Sequence, residues 1–403
     1  ELVQPAHQAG GTVREGEAVT ETTAPRAALG ETPEGQSYAP GTHPDLPSPV
    51  RAQGPLFWIH KNLLSSPLNV LLTVLGVAFI AVTVPPFLDW AVFDAAFTGS
   101  SRKDCEAEAS GACWAFIQER FHLFVYGFYP AAERWRPDLA FVLLCAALFF
   151  VLYDKAPYRK AGLWYAAAFP FIAAWLLVGD GTILKAVSTD QFGGILLTFV
   201  IGITGISFSL PIGILLALGR YSDLPVVKIL CICFIESIRG VPLITLLFVA
   251  STMLNYFLPP GTQFDLLLRV LIMVTLFASA FNAEVIRGGL QAIPKGQFEA
   301  ADALGLKYWG VMRLVILPQA LKISIPGIVG NFINLYKDTT LVLIIGLLDP
   351  LGIGRASLAD IKWGGLAAEM YVFIALFFFV CCFGMSRYSL YLEKKLETGH
   401  KRG

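Results

Sequence analysis

The apolar residues of this chain fall in runs of about twenty, and that feature decides its fold class. Such a run has no polar face to offer water, but its helical length matches the hydrocarbon thickness of a bilayer. Eight runs can be traced, at about 68–88, 138–153, 162–178, 193–218, 229–256, 266–286, 323–347 and 369–391. The fifth contains Glu236, Arg239 and Pro242, so an interruption is expected there. Backbone groups inside a membrane must be satisfied within their own segment, which predicts an all-α, polytopic protein. Charged residues make up only 15% of the 403, too few to coat a globule of this size. Thirty basic residues balance thirty acidic ones, so no charge excess points to nucleic acid.

Loop charges assign orientation. Lys155, Arg159 and Lys160 fill one short loop, and Arg220 and Lys228 the next alternate one. Arg287, Lys295, Lys307, Arg313 and Lys322 fill a third, and Lys394, Lys395, Lys401 and Arg402 lie in the tail. The intervening short loops carry Lys185, no base in 257–265, and then Arg355 and Lys362. Both termini are therefore expected in the cytoplasm, with loop 92–136 in the periplasm. That loop holds five bases, but long loops follow the rule poorly.

The expected domains are a disordered cytoplasmic tail over 1–55, three helices with the outer loop over 56–190, a five-helix core over 191–391, and a second tail over 392–403. Residues 1–55 show no signal-peptide pattern, and the missing initiator Met suggests a trimmed start. An amphipathic stretch, Pro55 to Lys61, leads into the first span. No internal repeat is evident.

The most specific segment is the inner loop 292–318. Gln297 to Leu304 has helix-forming composition, with Pro294 ahead of it and Gly305 able to supply a left-handed cap. Leu306 to Ile316 is expected to form a second short helix, stopped by Pro318. Glu299-Ala300-Ala301, Gly305 and Val315-Ile316-Leu317-Pro318 resemble the EAA loop of type I ABC importer permeases, with Val315 where that family has Ile. Glu236-Ser-Ile-Arg239-Gly240-Val-Pro242-Leu243 and Asn331 to Leu341 resemble two further motifs of the polar amino acid branch. The Cys-x7-Cys-Trp loop and added helices are similar to the larger permeases of general L-amino acid and glutamate/glutamine/aspartate/asparagine importers.

The resemblance implies a division of labour. A periplasmic binding protein delivers an amino acid, this chain and a second permease (a paralogue) form the path, and two cytoplasmic ATPases bind ATP and Mg. The chain has no G-x-x-x-x-G-K-[ST] loop and is expected to hold no cofactor itself. Glu299, Ala300, Ala301 and Gly305 would couple the permease to an ATPase and catalyse nothing. The alternative is a stand-alone secondary transporter or channel. An intramembrane enzyme is disfavoured, since all five His residues lie outside the spans and no metal cluster forms.

Polar side chains at membrane depth are costly and mark pathways or packing bonds. Asn331 and Asn334 share a helix face, with Lys337, Asp338 and Thr339 following near the middle of the seventh span. They could meet the ammonium and carboxylate of an amino acid, or they could fix helix packing. Arg239 could hold a substrate carboxylate or pair with Glu236. Asn282 is a further path candidate, and Arg287 is expected to snorkel to the inner surface. Cys105 and Cys113 are expected to form a periplasmic disulfide, with two free thiols as the alternative. The other five cysteines lie in apolar runs and behave as small hydrophobes.

Overall fold

The computed structural model describes residues 54–396, apart from 109, 254–255, 257–258 and 260–263. The expected tail over 1–55, up to its last two residues, and the end of the tail beyond 396 lie outside the described residues. The chain to Val82 forms one compact unit and the chain from Thr83 a second. In the first, α1 (Pro55–Leu63) starts on a proline and carries His60 and Lys61 in its last turn. The Thr73 hydroxyl, on α2 (Pro67–Leu88), donates to Leu63 O at 3.0 Å and holds the turn between them. No residue of α2 is buried, and its side chains are apolar around the whole helix, which suits a hydrocarbon surrounding.

Among the described residues, seven helical stretches are long and apolar enough to cross a membrane: Pro67–Phe93, Ala131–Leu152, Arg159–Val178, Gly194–Tyr221, Leu266–Gln291, Tyr308–Ile345 and Ala367–Leu396. The eighth is a broken pair, α9 (Pro225–Arg239) and α10 (Leu243–Phe248), bent by 100°. Pro242 has extended backbone (φ −59, ψ 142) and no N–H, so it ends one helix and starts the next. Arg269 pins the far side of this break. Its Nη1 donates to Ala250 O at 3.1 Å and Ser251 O at 2.6 Å.

The remaining elements are α3 to α5 in the outer loop (Arg102–Glu108, Ala115–Glu119, Phe121–Tyr126), then α6 (Trp135–Leu152), α7 (Arg159–Val178), α8 (Gly194–Tyr221), α11 (Leu266–Gln291) and α12 (Lys295–Ala303). After α12 the expected boundary fails. The helix α13 (Tyr308–Gly310) does not stop at Pro318 but runs through a π-helical stretch, Val311–Ile316, into α14 (Leu317–Asp338). Pro318 lies in the first turn after the wider π ladder, where a missing N–H breaks no bond. At its other end α14 tightens into a 3₁₀ stretch, Thr339–Ile345, that ends on left-handed Gly346. Lys337 and Asp338 therefore stand at a change of helix type, not in the middle of a regular helix. Two helices close the bundle, α15 (Pro350–Leu358) and α16 (Ala367–Leu396).

Small residues let the core helices meet. On α8, Gly205, Ser209 and Gly213 recur every fourth residue, a spacing that brings helix backbones together in membranes. A Cβ on Gly213 would lie 2.9 Å from the Asn282 Cβ of α11. At Gly289 on α11 a Cβ would meet Ser324 Oγ at 2.1 Å and Ala320 O at 2.5 Å, whereas at neighbouring Gly288 nothing lies within 4 Å. Gly289→Ala should therefore separate α11 from α14 and cost on the order of 2 kcal/mol or more. Gly288→Ala should be neutral or gain about 0.5–1 kcal/mol from helix propensity. Thermal unfolding of the two variants in detergent, followed by size-exclusion, checks the contrast.

The outer loop is fastened to the core. Cys105 and Cys113 are disulfide-bonded, with Cα atoms 5.7 Å apart, and both are buried with Phe116, Phe124, Trp363 and Met370. The Glu369 carboxylate at the start of α16 accepts the Cys113 N–H at 3.1 Å. Arg120 pairs with Asp360, and Arg102 donates to Gly364 O at 2.8 Å. The outer loop and the carboxy-terminal helices thus pack together on this side.

Here too lies a fully buried carboxylate, Asp349, which caps α15 by accepting the Gly352 N–H at 2.9 Å. Burial pushes its pKa up to about 6, with the Gly352 hydrogen bond partly opposing. A raised folded-state value favours the folded protein at low pH, and that contribution is lost as pH rises through about 6. Asp349→Asn keeps the cap without the charge. Its stability relative to the parent should therefore grow between pH 5 and 7.5, by about 1 kcal/mol, in melting curves recorded across that range.

Candidate functional site

The segment 292–318 forms a short helix held rigidly against the bundle. Pro294 supplies the extended residue ahead of α12. At the other end Gly305 (φ 74) is left-handed, its N–H donates to Asp302 O at 2.9 Å, and the Leu306 N–H donates to Ala301 O at 3.3 Å. This pair of bonds is the Schellman cap, which requires the left-handed residue. Ala301 is buried beneath the helix, and Phe298 and Leu306 pack with Ile293, Val311 and Ile316. Phe298 also stacks on Tyr221 at the end of α8, with centroids 6.3 Å apart. Gln319 of α14 donates to Gln297 at 3.2 Å. Glu299, Ala300 and Gly305 face outward, as do Leu304 and Trp309, which are 79% and 71% exposed.

Behind this helix lies an ion cluster from three elements. Arg220 ends α8, Glu236 and Arg239 end α9, and Glu284 and Arg287 lie near the end of α11. Glu284 reaches three arginines, Arg287 at 2.5 Å, Arg220 at 3.3 Å and Arg239 at 3.8 Å. Glu236 reaches Arg220 at 2.7 Å and Arg239 at 4.0 Å. The Arg239 guanidinium also lies over the Phe281 ring, 5.6 Å from its centroid. Arg287 is therefore paired within the cluster rather than snorkelling alone. A cleft of about 740 Å³, lined by Arg220, Lys228, Arg287, Phe298, Asp302 and Tyr308 among others, opens beside the cluster and α12.

The polar residues expected along the path separate into two groups. Asn331 Nδ2 donates to Asn282 Oδ1 at 3.1 Å, and Asn282 Nδ2 donates to Ser209 Oγ at 3.1 Å. This ladder ties α14, α11 and α8, and both Asn282 and Ser209 are fully buried. Thr339 is buried as well, its hydroxyl donating to Tyr336 O at 2.8 Å. Asn334 and Lys337 are instead exposed, and Asp338 is half-buried. Arg239 belongs to the ion cluster. The structure thus does not bring the seven path candidates to one surface.

Sequence reasoning missed four side chains that position these groups. Ser209 was hidden as one hydroxyl in an apolar run, and Arg220 counted only as a loop charge. Glu284 and Arg269 did carry a signal, as charges inside the run that became α11.

Seven or eight membrane crossings, an outward-facing capped helix and a charged hub behind it define a polytopic membrane transport subunit. The chain belongs to the inner-membrane permeases of binding-protein-dependent, ABC-type transport systems. Residues 209–398 match the model of the family described as binding-protein-dependent transport system inner membrane component. The glutamate/glutamine/aspartate/asparagine transport system permease protein BztC of Rhodobacter capsulatus is 46% identical, over 88% of this chain and 96% of its own length. The inner membrane amino-acid ABC transporter permease protein YhdY of Escherichia coli K12 is 48% identical, over 89% of this chain and 97% of its own length. Among solved structures, an amino acid ABC transporter with histidines is similar at 28% identity, over 50% of this chain and 91% of that one, with a TM-score of 0.44. Membership sets aside the stand-alone transporter or channel.

Proposed function

We propose that this chain is the permease subunit of an ATP-driven amino acid importer, in which α12 transmits the ATPase cycle to the membrane helices. The names of its relatives support amino acids as cargo, and glutamate, glutamine, aspartate and asparagine as the set to test first. The observation that carries the coupling role is the seat of α12. Its inner side is fixed by Ala301, Phe298 and the Schellman cap, while Glu299, Ala300 and Leu304 project outward as one firm surface. A helix so held moves with α8, α11 and α14 when a partner pushes it. Ala300 and Gly305 allow close approach where larger side chains would hold the surfaces apart.

In this reading two ATPase subunits bind ATP and Mg, a paralogous permease completes the path, and a periplasmic binding protein presents the cargo. The chain lies in a bacterial inner membrane with both termini cytoplasmic and loop 92–136 periplasmic. The domain limits stay those drawn from sequence, with 292–318 as the coupling loop. The face carrying Asn334, Lys337 and Asp338 lines the path. Exposed polar groups on a membrane-spanning helix need water, cargo or a second permease against them, because lipid satisfies none of them. Asn282, Asn331, Thr339 and Arg239 hold the packing behind that face.

Proteoliposomes containing the assembled complex, with ATP enclosed, test this. Labelled glutamate or glutamine should enter only when ATP and the binding protein are both present. Asp338→Asn should lower uptake about tenfold or more while the binding protein's own affinity is unchanged. Uptake without ATP would overturn the proposal. Parental uptake by Asp338→Asn, with normal assembly, would remove Asp338 from the path.

A further inference from the structure

A cavity of about 610 Å³ lies among the membrane helices, walled by α6, α7, α8 and α11, with Phe377 and Cys381 of α16 beside it. It falls where α6 and α7 lean on the core. Those helices touch directly through Leu144, Ala147 and Phe169, packed with Phe199 and Ile203, so the cavity interrupts an otherwise packed seam. Its walls are apolar almost throughout. An empty space of this size deprives its lining of dispersion contacts, and close-packed interiors do not tolerate that. Phe141 and Leu268 on its border are 52% and 43% exposed, so the cavity opens sideways. In a bilayer the solvent at that opening is acyl chain.

Polar groups gather at the end of the cavity where α6, α8 and α11 begin. Asp138 accepts the Tyr126 hydroxyl at 2.6 Å, and Asp265 accepts the Thr189 hydroxyl and the Leu268 N–H. These four side chains line the cavity mouth. One turn before Asp138, the Arg134 guanidinium lies 5.5 Å from the Tyr126 ring centroid, and its buried Nε has no hydrogen-bond partner among the described residues. The rim thus offers two carboxylates to a cation above an apolar slot, with the Arg134 guanidinium against the Tyr126 ring beside them.

We propose that this cavity binds one phospholipid with an ethanolamine headgroup. An acyl chain fills the slot, and Asp138 and Asp265 hold the ammonium. Phosphatidylglycerol offers the same chains and phosphate but no ammonium, and it leaves both carboxylates facing a net negative headgroup. The lipid then serves as packing between α6, α7 and the core.

The assembled complex, purified in mild detergent and progressively delipidated, can be followed by native mass spectrometry. One phosphatidylethanolamine per chain should remain longest, and it should outcompete phosphatidylglycerol on re-addition by about tenfold. Ala174→Trp, which places a large ring in the slot from an exposed wall position, should lower retention by about tenfold. Asp138→Asn with Asp265→Asn should abolish the headgroup preference while leaving α11 capped. Should Ala174→Trp not assemble, the competition in the parent protein still decides. Absence of bound lipid, equal retention of the two headgroups, or unchanged retention in Ala174→Trp would overturn the proposal.

Discussion

Gly305→Val is expected to leave the chain in the membrane at normal levels while abolishing uptake and binding-protein-stimulated ATP hydrolysis. Gly305 has φ 74 and closes the Schellman cap of α12, and a Cβ there would meet nothing within 4 Å. The penalty is therefore purely conformational. A β-branched residue in the left-handed region costs about 1–2 kcal/mol, too little to unfold a protein whose spans are set by other segments. That cost is enough to favour a relaxed cap in which Leu306 and Ala301 lose their bond and α12 turns from its seat. Gly305→Asn, which tolerates this conformation, should recover much of the activity. Stimulated ATPase activity near the parental value in Gly305→Val would show that the cap plays no part in coupling.

The second large effect falls on Glu284. Among the described residues it alone reaches Arg220, Arg239 and Arg287 together, and it joins α8, α9 and α11 through them. Glu284→Gln leaves three guanidinium groups facing Glu236 alone. Removing one partner of a partly buried ion cluster costs about 1–3 kcal/mol, between the exposed and the buried case, because the remaining charges repel. The expected result is a steep fall in assembled complex recovered from membranes, with the break at Gly240 to Pro242 splayed. Glu284→Gln combined with Arg287→Gln removes one charge of each sign and should recover part of the loss. Recovery no better than the single variant would mean that Glu284 acts through something other than this cluster.

The membrane spans were legible because each is a local property of about twenty consecutive residues. The break after Arg239 was legible for the same reason, since Gly240 and Pro242 act on their own backbone. Gly305 could be placed because a helix-forming run ends directly before it. Pro318 was misjudged because a proline stops a helix only when its N–H is needed, and the π-helical stretch before it removes that need. The path residues were harder. Whether Asn331 faces outward or bonds Asn282 depends on how α11 and α14 are rotated, which no single segment encodes. Likewise Glu236 and Arg239 suggested a pair at i and i+3, but Arg220 and Glu284 joined them only when three helices met.

In the proposed function the outward surface of α12 docks on an ATPase. A photoreactive amino acid at Leu304, 79% exposed beside the cap, tests it in the native complex. On illumination the chain should cross-link to a protein bearing a phosphate-binding loop and ATPase activity, and the yield should change between the nucleotide-free and ATP-bound complex. Cross-links from Leu304 only to lipid or to other proteins, in membranes where ATP-driven uptake is intact, would contradict it.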